Sequence, residues 1–182
     1  MPDEPRLRHN PLIDPRELEQ LHVQCFSWAL TCTRGRRSEA EDVLQMTYLA
    51  IVEGRARFGG SSNLRTWLFA VIRNQARSRW RRARVSLLTI ARLASFAPPE
   101  ETSRGADSLA DYQRSQDSDR IVAAWRSLPP RQREVLDLVF YRDLSIAEAA
   151  EALGVALGTA RMHYERGKAA LRRQLMHKEP PR

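Results

Sequence analysis

The sequence predicts an all-α protein: two small helical domains joined by a flexible acidic linker, the C-terminal one a helix-turn-helix. Three observations carry that expectation. No stretch sustains the period-two alternation of a half-buried strand, whereas apolar residues recur at helical spacing along most of the chain. Between 86 and 118 this periodicity lapses into Pro98-Pro99, Gly105, several serines and an acidic excess, the composition of a linker. Toward the C-terminus, two helical segments flank the tight turn Gly154-Val155-Ala156. The implied layout is a first domain over 10–85, a linker over 86–118 and a second domain over 119–177.

The elements follow in order. Asp14-Pro15 reads as an N-cap followed by proline at the first helical position, opening a helix through Thr33. Arg34-Gly35-Arg36-Arg37 breaks it. Ser38 with Glu41 three residues later forms a capping-box pattern for a second helix, which ends near Gly54. Gly59–Asn63 is a polar loop, and a third helix spans Leu64–Arg84. A short helix is expected within the linker at Leu87–Leu93. Apolar spacing resumes at Ile121, Val122 and Trp125. Leu128-Pro129-Pro130 then precedes a helix over Arg131–Tyr141. Ser145 with Glu148 is a second capping box, opening a helix to Leu153, and a last helix runs from Leu157 to Met176.

Charge narrows the function. The formal net charge is +8, but its distribution says more. Residues 54–99 carry 10 arginines and no carboxylate, whereas 100–119 carry 2 arginines against 6 acids. A long acid-free block is the footprint of a surface that sits on phosphates. No apolar run approaches the roughly 20 residues needed to span a bilayer. The first ten residues, with Asp3, Glu4, Arg6 and Arg8, do not resemble a signal peptide. A cytoplasmic protein without membrane insertion is expected. Cys25 and Cys32 are seven apart, which is no zinc-knuckle spacing, and with His22 they make too small a ligand set. No metal, cofactor or catalytic residue is expected.

Three constellations remain. On the third helix Arg73, Arg77, Trp80 and Arg84 fall on one stripe, opposite Leu64, Leu68, Val71, Ile72 and Gln75. Arginines interleaved with an aromatic suit backbone contact plus stacking on an unpaired base. The Gly59–Asn63 loop lies immediately upstream. Trp67 reads as core; for Trp80, core packing and base stacking both stand. The second helix turns Ala40, Val43, Leu44, Thr47 and Ile51 inward, leaving Asp42, Gln45, Met46, Leu49 and Glu53 outward. That mixed stripe suits a protein partner, with contact inside the same domain as the alternative for Met46 and Leu49. The last helix presents Thr159, Arg161, His163, Arg166, Lys168, Arg172 and Arg173 as a recognition helix would.

Glu41-Asp42-Val43-Leu44-Gln45-Met46-Thr47-Tyr48, Phe58–Asn63 with Leu64–Asn74, and Leu128–Leu136 with Gly158-Thr159-Ala160-Arg161 resemble the motifs of bacterial extracytoplasmic-function sigma factors. The resemblance implies a transcription initiation factor, not an enzyme, that directs core RNA polymerase to promoters and helps open the −10 region. Asp42, Gln45, Met46 and Leu49 would meet the clamp helices of the polymerase's largest subunit. Ser62, Asn63, Arg65, Arg73, Asn74, Arg77, Trp80, Arg81 and Arg84 would engage −10 DNA. Thr159, Arg161, Met162, His163, Arg166 and Lys168 would engage the −35 element, while an apolar cleft takes the second-largest subunit's flap. The acidic linker would thread the polymerase channel, and an anti-sigma factor would mask both domains. The chain departs from the usual pattern at Met46, Tyr48, Ser78, Ala156 and Met162-His163. A conventional helix-turn-helix regulator would not require the Asp42/Gln45 stripe or the acid-free block. A metal- or thiol-dependent enzyme lacks its ligand set, and a sigma-sequestering protein would cover a basic surface instead of carrying one.

Overall fold

A computed structural model describes residues 12–91 and 112–176, with side chains described over 12–83 and 119–176. Its elements are α1 (Pro15–Cys32), α2 (Arg37–Val52), α3 (Leu64–Ala91), α4 (Tyr112–Ser127), α5 (Pro130–Phe140), α6 (Ile146–Leu153) and α7 (Leu157–Met176). The described residues include no strand.

Asp14 caps α1 by accepting the Arg16 N–H at 2.9 Å, with Pro15 at the first position. The helix stops where Arg34 and Gly35 take left-handed backbone, with φ of 60° and 82°. Gly35 N–H then closes onto the Leu30 carbonyl at 2.8 Å. This turn fixes the start of α2 at Arg37, so the expected Ser38–Glu41 capping box does not form. The N-cap is Arg36, without a side-chain capping bond, and Ser38 is already helical. Glu41 instead accepts from Arg37 Nε at 2.9 Å.

Asn63 caps α3: its Oδ1 accepts the Arg65 N–H at 2.9 Å and its carbonyl the Trp67 N–H at 3.0 Å. With no glycine or proline between 64 and 91, α3 runs on past Arg84, and the separate helix expected at Leu87–Leu93 continues it as far as Ala91. The acidic stretch up to 111 lies outside the described residues. In the C-terminal half the expected capping box is present. Ser145 Oγ accepts the Glu148 N–H at 3.2 Å, and Glu148 accepts the Ser145 N–H at 2.8 Å. The Ser145 hydroxyl also donates to Glu148 Oε2 at 2.7 Å, and together with the backbone bond it lowers the Glu148 carboxyl from its usual value. Gly154 closes α6 in the left-handed region, at φ 57°.

α3 packs on α1 along one side and on α6 along another. The two halves therefore share one apolar core. Leu68, Phe69 and Ile72 of α3 cluster with Trp28 of α1 and with Val135, Leu138, Ala149 and Leu153 from the C-terminal half. Trp28 is wholly buried, and its indole N–H donates to the Phe69 carbonyl at 2.9 Å.

One glycine matters for packing. A Cβ on Gly167 would lie 2.8 Å from Leu136 Cδ1 and 3.1 Å from Gln132 Cβ, where α7 crosses α5. Leu136 is fully buried and cannot swing away. Gly167→Ala gains about 1 kcal/mol of helix propensity but overpacks a contact at a cost of about 1–3 kcal/mol. A net loss of stability, seen as a lower midpoint in urea, is expected. A raised midpoint would show that the α5–α7 contact yields.

Candidate nucleic-acid interface

The arginine stripe of α3 divides in two. Arg77, Arg79, Arg81 and Arg82 are exposed, as is Asn74, and Trp80 is 47% exposed. The Arg34 guanidinium lies 5.1 Å from the Trp80 ring centroid, so this indole is held at the surface by a cation. Arg84 lies outside the described side chains. Asn63 is exposed with its carbonyl oxygen engaged in the helix cap, and Ser62 is half-buried. Arg65 is half-buried, and its Nε is enclosed without a hydrogen-bond partner.

Arg73 departs from the stripe. Helical spacing put it with Arg77 and Trp80 on the open face, but it is only 2% exposed. The reason is that α6 covers this part of α3, so Thr66, Phe69 and Arg73 are enclosed together with Leu68 and Ile72. Val71 and Gln75, expected in the core, are only half-buried. Arg73 Nη2 pairs with Glu134 Oε2 at 3.0 Å, and Nη1 donates to the Leu153 carbonyl at 2.8 Å, at the C-terminal end of α6. Arg131 Nη1 reaches the same Glu134 oxygen at 3.2 Å. Burial pushes the Glu134 carboxyl up, opposed by Arg131, Arg77, Arg133 and His163.

A second polar cluster joins α1 to α5. Arg142 Nε binds Asp137 at 3.1 Å, its Nη2 donates to Ser27 Oγ at 2.9 Å, and its Nη1 donates to the Gln24 carbonyl at 3.3 Å. Thr31 Oγ1 donates to the other Asp137 oxygen at 3.2 Å. Burial again pushes the carboxyl up, opposed by Arg142 and the two side-chain hydrogen bonds. Sequence reasoning passed over Glu134, Asp137 and Arg142. A signal was present: Asp137 interrupts Val135-Leu136-Asp137-Leu138, a run buried throughout. A carboxylate there requires a cation from elsewhere in the fold.

On α2, Gln45, Met46 and Leu49 are exposed and Asp42 is half-exposed, forming the stripe that periodicity indicated. Asp42 pairs with Arg79 of α3 at 2.7 Å, so the stripe adjoins the arginine face. On α7, Arg161, Met162, Arg166 and Lys168 are exposed; Thr159 and His163 are half-buried. Lys168 lies 3.5 Å from Glu165 and 5.0 Å from the Tyr164 ring centroid. His163 Nδ1 is enclosed without a partner. Trp67 packs on Phe58 at 5.3 Å.

Cys25 and Cys32 are free thiols. Burial pushes the Cys25 thiol up to about 12 and the Cys32 thiol well above its usual value. Both are therefore neutral and poor nucleophiles. His22 Nδ1 sits 3.1 Å from Tyr48 Oη. Among the described residues no group of His, Cys, Asp and Glu could hold a metal ion, and no helix is long and apolar enough to cross a membrane.

An exposed arginine face beside an outward mixed stripe, with a helix-turn-helix in the same chain, defines a two-part DNA-reading protein of the sigma type. Residues 18–85 match the family description Sigma-70 region 2, and residues 118–171 match Sigma-70, region 4. The chain is 30% identical over 137 residues to the extracytoplasmic-function RNA polymerase sigma factor EcfG of Rhodopseudomonas palustris, covering 75% of this chain and 71% of that one. It is 32% identical over 146 residues to the sigma factor SigL of Mycobacterium tuberculosis, covering 76% of each. Two solved structures share the fold. One is the sigma factor RpoE in complex with the anti-sigma factor NepR from Bartonella quintana. It has a TM-score of 0.65 and 24% identity, over 90% of this chain and 97% of that one. The other is CnrH in complex with the cytosolic domain of CnrY, with a TM-score of 0.57 and 22% identity, over 90% and 88%. The chain belongs to the extracytoplasmic-function sigma factor family, and it is a transcription initiation factor that brings RNA polymerase to promoters.

Proposed function

We propose that the two halves divide this work, as region 2 over 10–85 and region 4 over 119–177, around the acidic linker. The observation that carries the reading is the exposed arginine face of α3, adjoining the outward Asp42/Gln45/Met46/Leu49 stripe of α2. The stripe meets the clamp helices of the polymerase's largest subunit. Arg77, Arg81 and Arg84 hold the DNA backbone at −10. Trp80, Asn74 and the Ser62–Arg65 segment receive bases as the strands part. Thr159, Arg161, Met162, His163, Arg166 and Lys168 face the −35 element, and the second-largest subunit's flap covers the apolar cleft of the same domain. The polymerase performs the chemistry, in the cytoplasm, and no catalytic residue is needed here.

The closed arrangement cannot occupy both elements. Positions −10 and −35 are separated by about 85 Å at 3.4 Å per base step, whereas a compact 182-residue chain has a radius of gyration of about 16 Å. The halves must part, which frees Arg73 to join the −10 contacts. One of the solved relatives is bound to an anti-sigma factor, and the other to the cytosolic domain of a partner protein. A dedicated anti-sigma factor holding this chain in the closed form fits that pattern. Native protein that never co-purifies with an inhibitor and is always active would remove it.

Run-off transcription with purified bacterial core polymerase tests the assignment. Wild type should give discrete start sites. Asp42→Ala with Gln45→Ala should lower transcript at least about tenfold, the equivalent of one charge-assisted contact of ~1.5 kcal/mol. Arg77→Ala with Arg81→Ala should do the same on duplex templates and less on templates already opened at −10. A core enzyme, including the cognate one, that gains nothing from a protein able to shift duplex DNA alone would point to an ordinary helix-turn-helix regulator.

A further inference from the structure

A cleft of about 480 Å³ lies between the two halves, with Arg34 on the α1 side and Trp125, Arg126, Arg133, Tyr141 and Arg142 on the other. Its charges do not cancel. Arg142 is neutralised by Asp137 at 3.1 Å. Arg34, Arg126 and Arg133 make no ion pair with any described carboxylate. Arg133 Nη2 donates to the carbonyls of Arg126 and Leu128, both at 2.9 Å, while its Nε is enclosed with no partner. Glu134, the carboxylate that acts on Arg133, is already bonded to Arg73 and Arg131. Burial and the Arg34 charge both lower Arg133 from its usual value, so the folded chain holds two guanidiniums together against their repulsion.

The backbone delivers Arg34 to this place. It is a non-glycine residue at φ 60°, in the turn that ends α1. That conformation is disfavoured in an L-residue. An aromatic wall completes the cleft: Trp125 and Tyr141 meet edge to face, centroids 5.5 Å apart and rings at 89°. Guanidinium forks match phosphate oxygens, and an indole face accepts a planar base. The volume falls within the usual range for a small-molecule pocket, roughly 300–1,000 Å³.

We infer that this cleft binds a small phosphate-bearing ligand, with Arg34, Arg126 and Arg133 on the phosphate and Trp125 against a planar ring. Because Arg34 comes from the first half and the other residues from the second, the ligand bridges them. It binds the closed chain alone, so it draws the population away from the open, promoter-spanning form. The phosphate comes from a nucleotide or from free inorganic phosphate, and the two sources differ in their need for Trp125.

Titration calorimetry on the full chain without polymerase tests this, using ATP, inorganic phosphate and adenosine as probes. Saturable binding of ATP at one site per chain is expected, with phosphate weaker and adenosine silent. Arg34→Ala with Arg126→Ala alters two exposed side chains and should weaken ATP by at least about tenfold, one charge-assisted contact. Arg172→Ala with Arg173→Ala, on the last turns of α7, removes the same charge elsewhere and should leave binding within about twofold. Trp125→Leu should weaken ATP but not phosphate. Phosphate binding as tightly as ATP, with both indifferent to Trp125→Leu, would keep the site and assign it to the free ion. Absence of saturable binding, or equal losses in the two arginine pairs, would overturn the site in favour of diffuse attraction to a basic chain. Should Trp125→Leu fail to fold, the arginine pairs still decide.

Discussion

Glu134→Ala is expected to open the molecule. It removes the carboxylate from Arg73, which is 2% exposed, and leaves a guanidinium enclosed with only the Leu153 carbonyl as partner. Breaking one side of a buried pair costs about 3–5 kcal/mol. Partial exposure of Glu134 places this case toward the lower end. Even 3 kcal/mol changes a two-state ratio more than a hundredfold. The strain is relieved most simply by parting the halves, which returns Arg73 to water. Small-angle scattering should show a radius of gyration rising from about 16 Å, with faster amide exchange where α6 covers α3. Arg73→Met combined with Glu134→Leu removes both charges at similar volume and should stay closed, since an apolar replacement of a buried pair is often neutral or stabilising. If Glu134→Ala keeps the wild-type radius and exchange pattern, the apolar contact alone holds the halves together.

The closed form is therefore balanced, not locked. Burial pushes the Glu134 and Asp137 carboxyls up, and the arginines around them oppose that shift. Ion pairs of this kind specify which surfaces meet more than they stabilise the meeting. This suits the division of work proposed above, in which the halves separate to reach two distant promoter elements.

How much of this was legible follows from the range of the interactions. The Asp14-Pro15 start, the Ser145–Glu148 box, the Gly154 turn and the Leu157–Met176 helix rest on contacts within five residues, and sequence pattern found them. The inward set of α2 was equally plain, because its period reports one buried face. The Ser38 box failed because Arg34-Gly35 turned the chain two residues early, leaving Arg36 as the N-cap. Arg73 was misplaced for a different reason. Periodicity assigns one buried side per helix, but α3 is covered on a second side by α6, eighty residues further along. The cleft arginines were invisible for the same reason: Arg34 and Arg133 become neighbours only when the halves close.

Trp28→Ala should have the largest effect on stability. The side chain is wholly buried, packs against the Phe69 ring at 5.9 Å and donates its N–H to the Phe69 carbonyl at 2.9 Å. Truncating a buried tryptophan costs about 3–5 kcal/mol, against a total of roughly 5–15 kcal/mol for a domain. With a slope of ~2 kcal/mol per molar, the urea midpoint should fall by about 2 M. Trp28→Phe keeps a ring in the core but gives up the hydrogen bond and some volume, and should cost about 1–2 kcal/mol. The reach of the loss is as informative as its size. Phe69 lies in the same apolar cluster as Val135, Leu138 and Leu153 of the other half. If that cluster unfolds as one unit, circular dichroism and tryptophan fluorescence will report coincident transitions in wild type and in both variants. Should Trp28→Ala instead melt α1–α3 first and leave α5–α7 folded, the halves are separate cooperative units. Closure would then be a docking of two finished domains, and the Arg73–Glu134 pair would set its orientation.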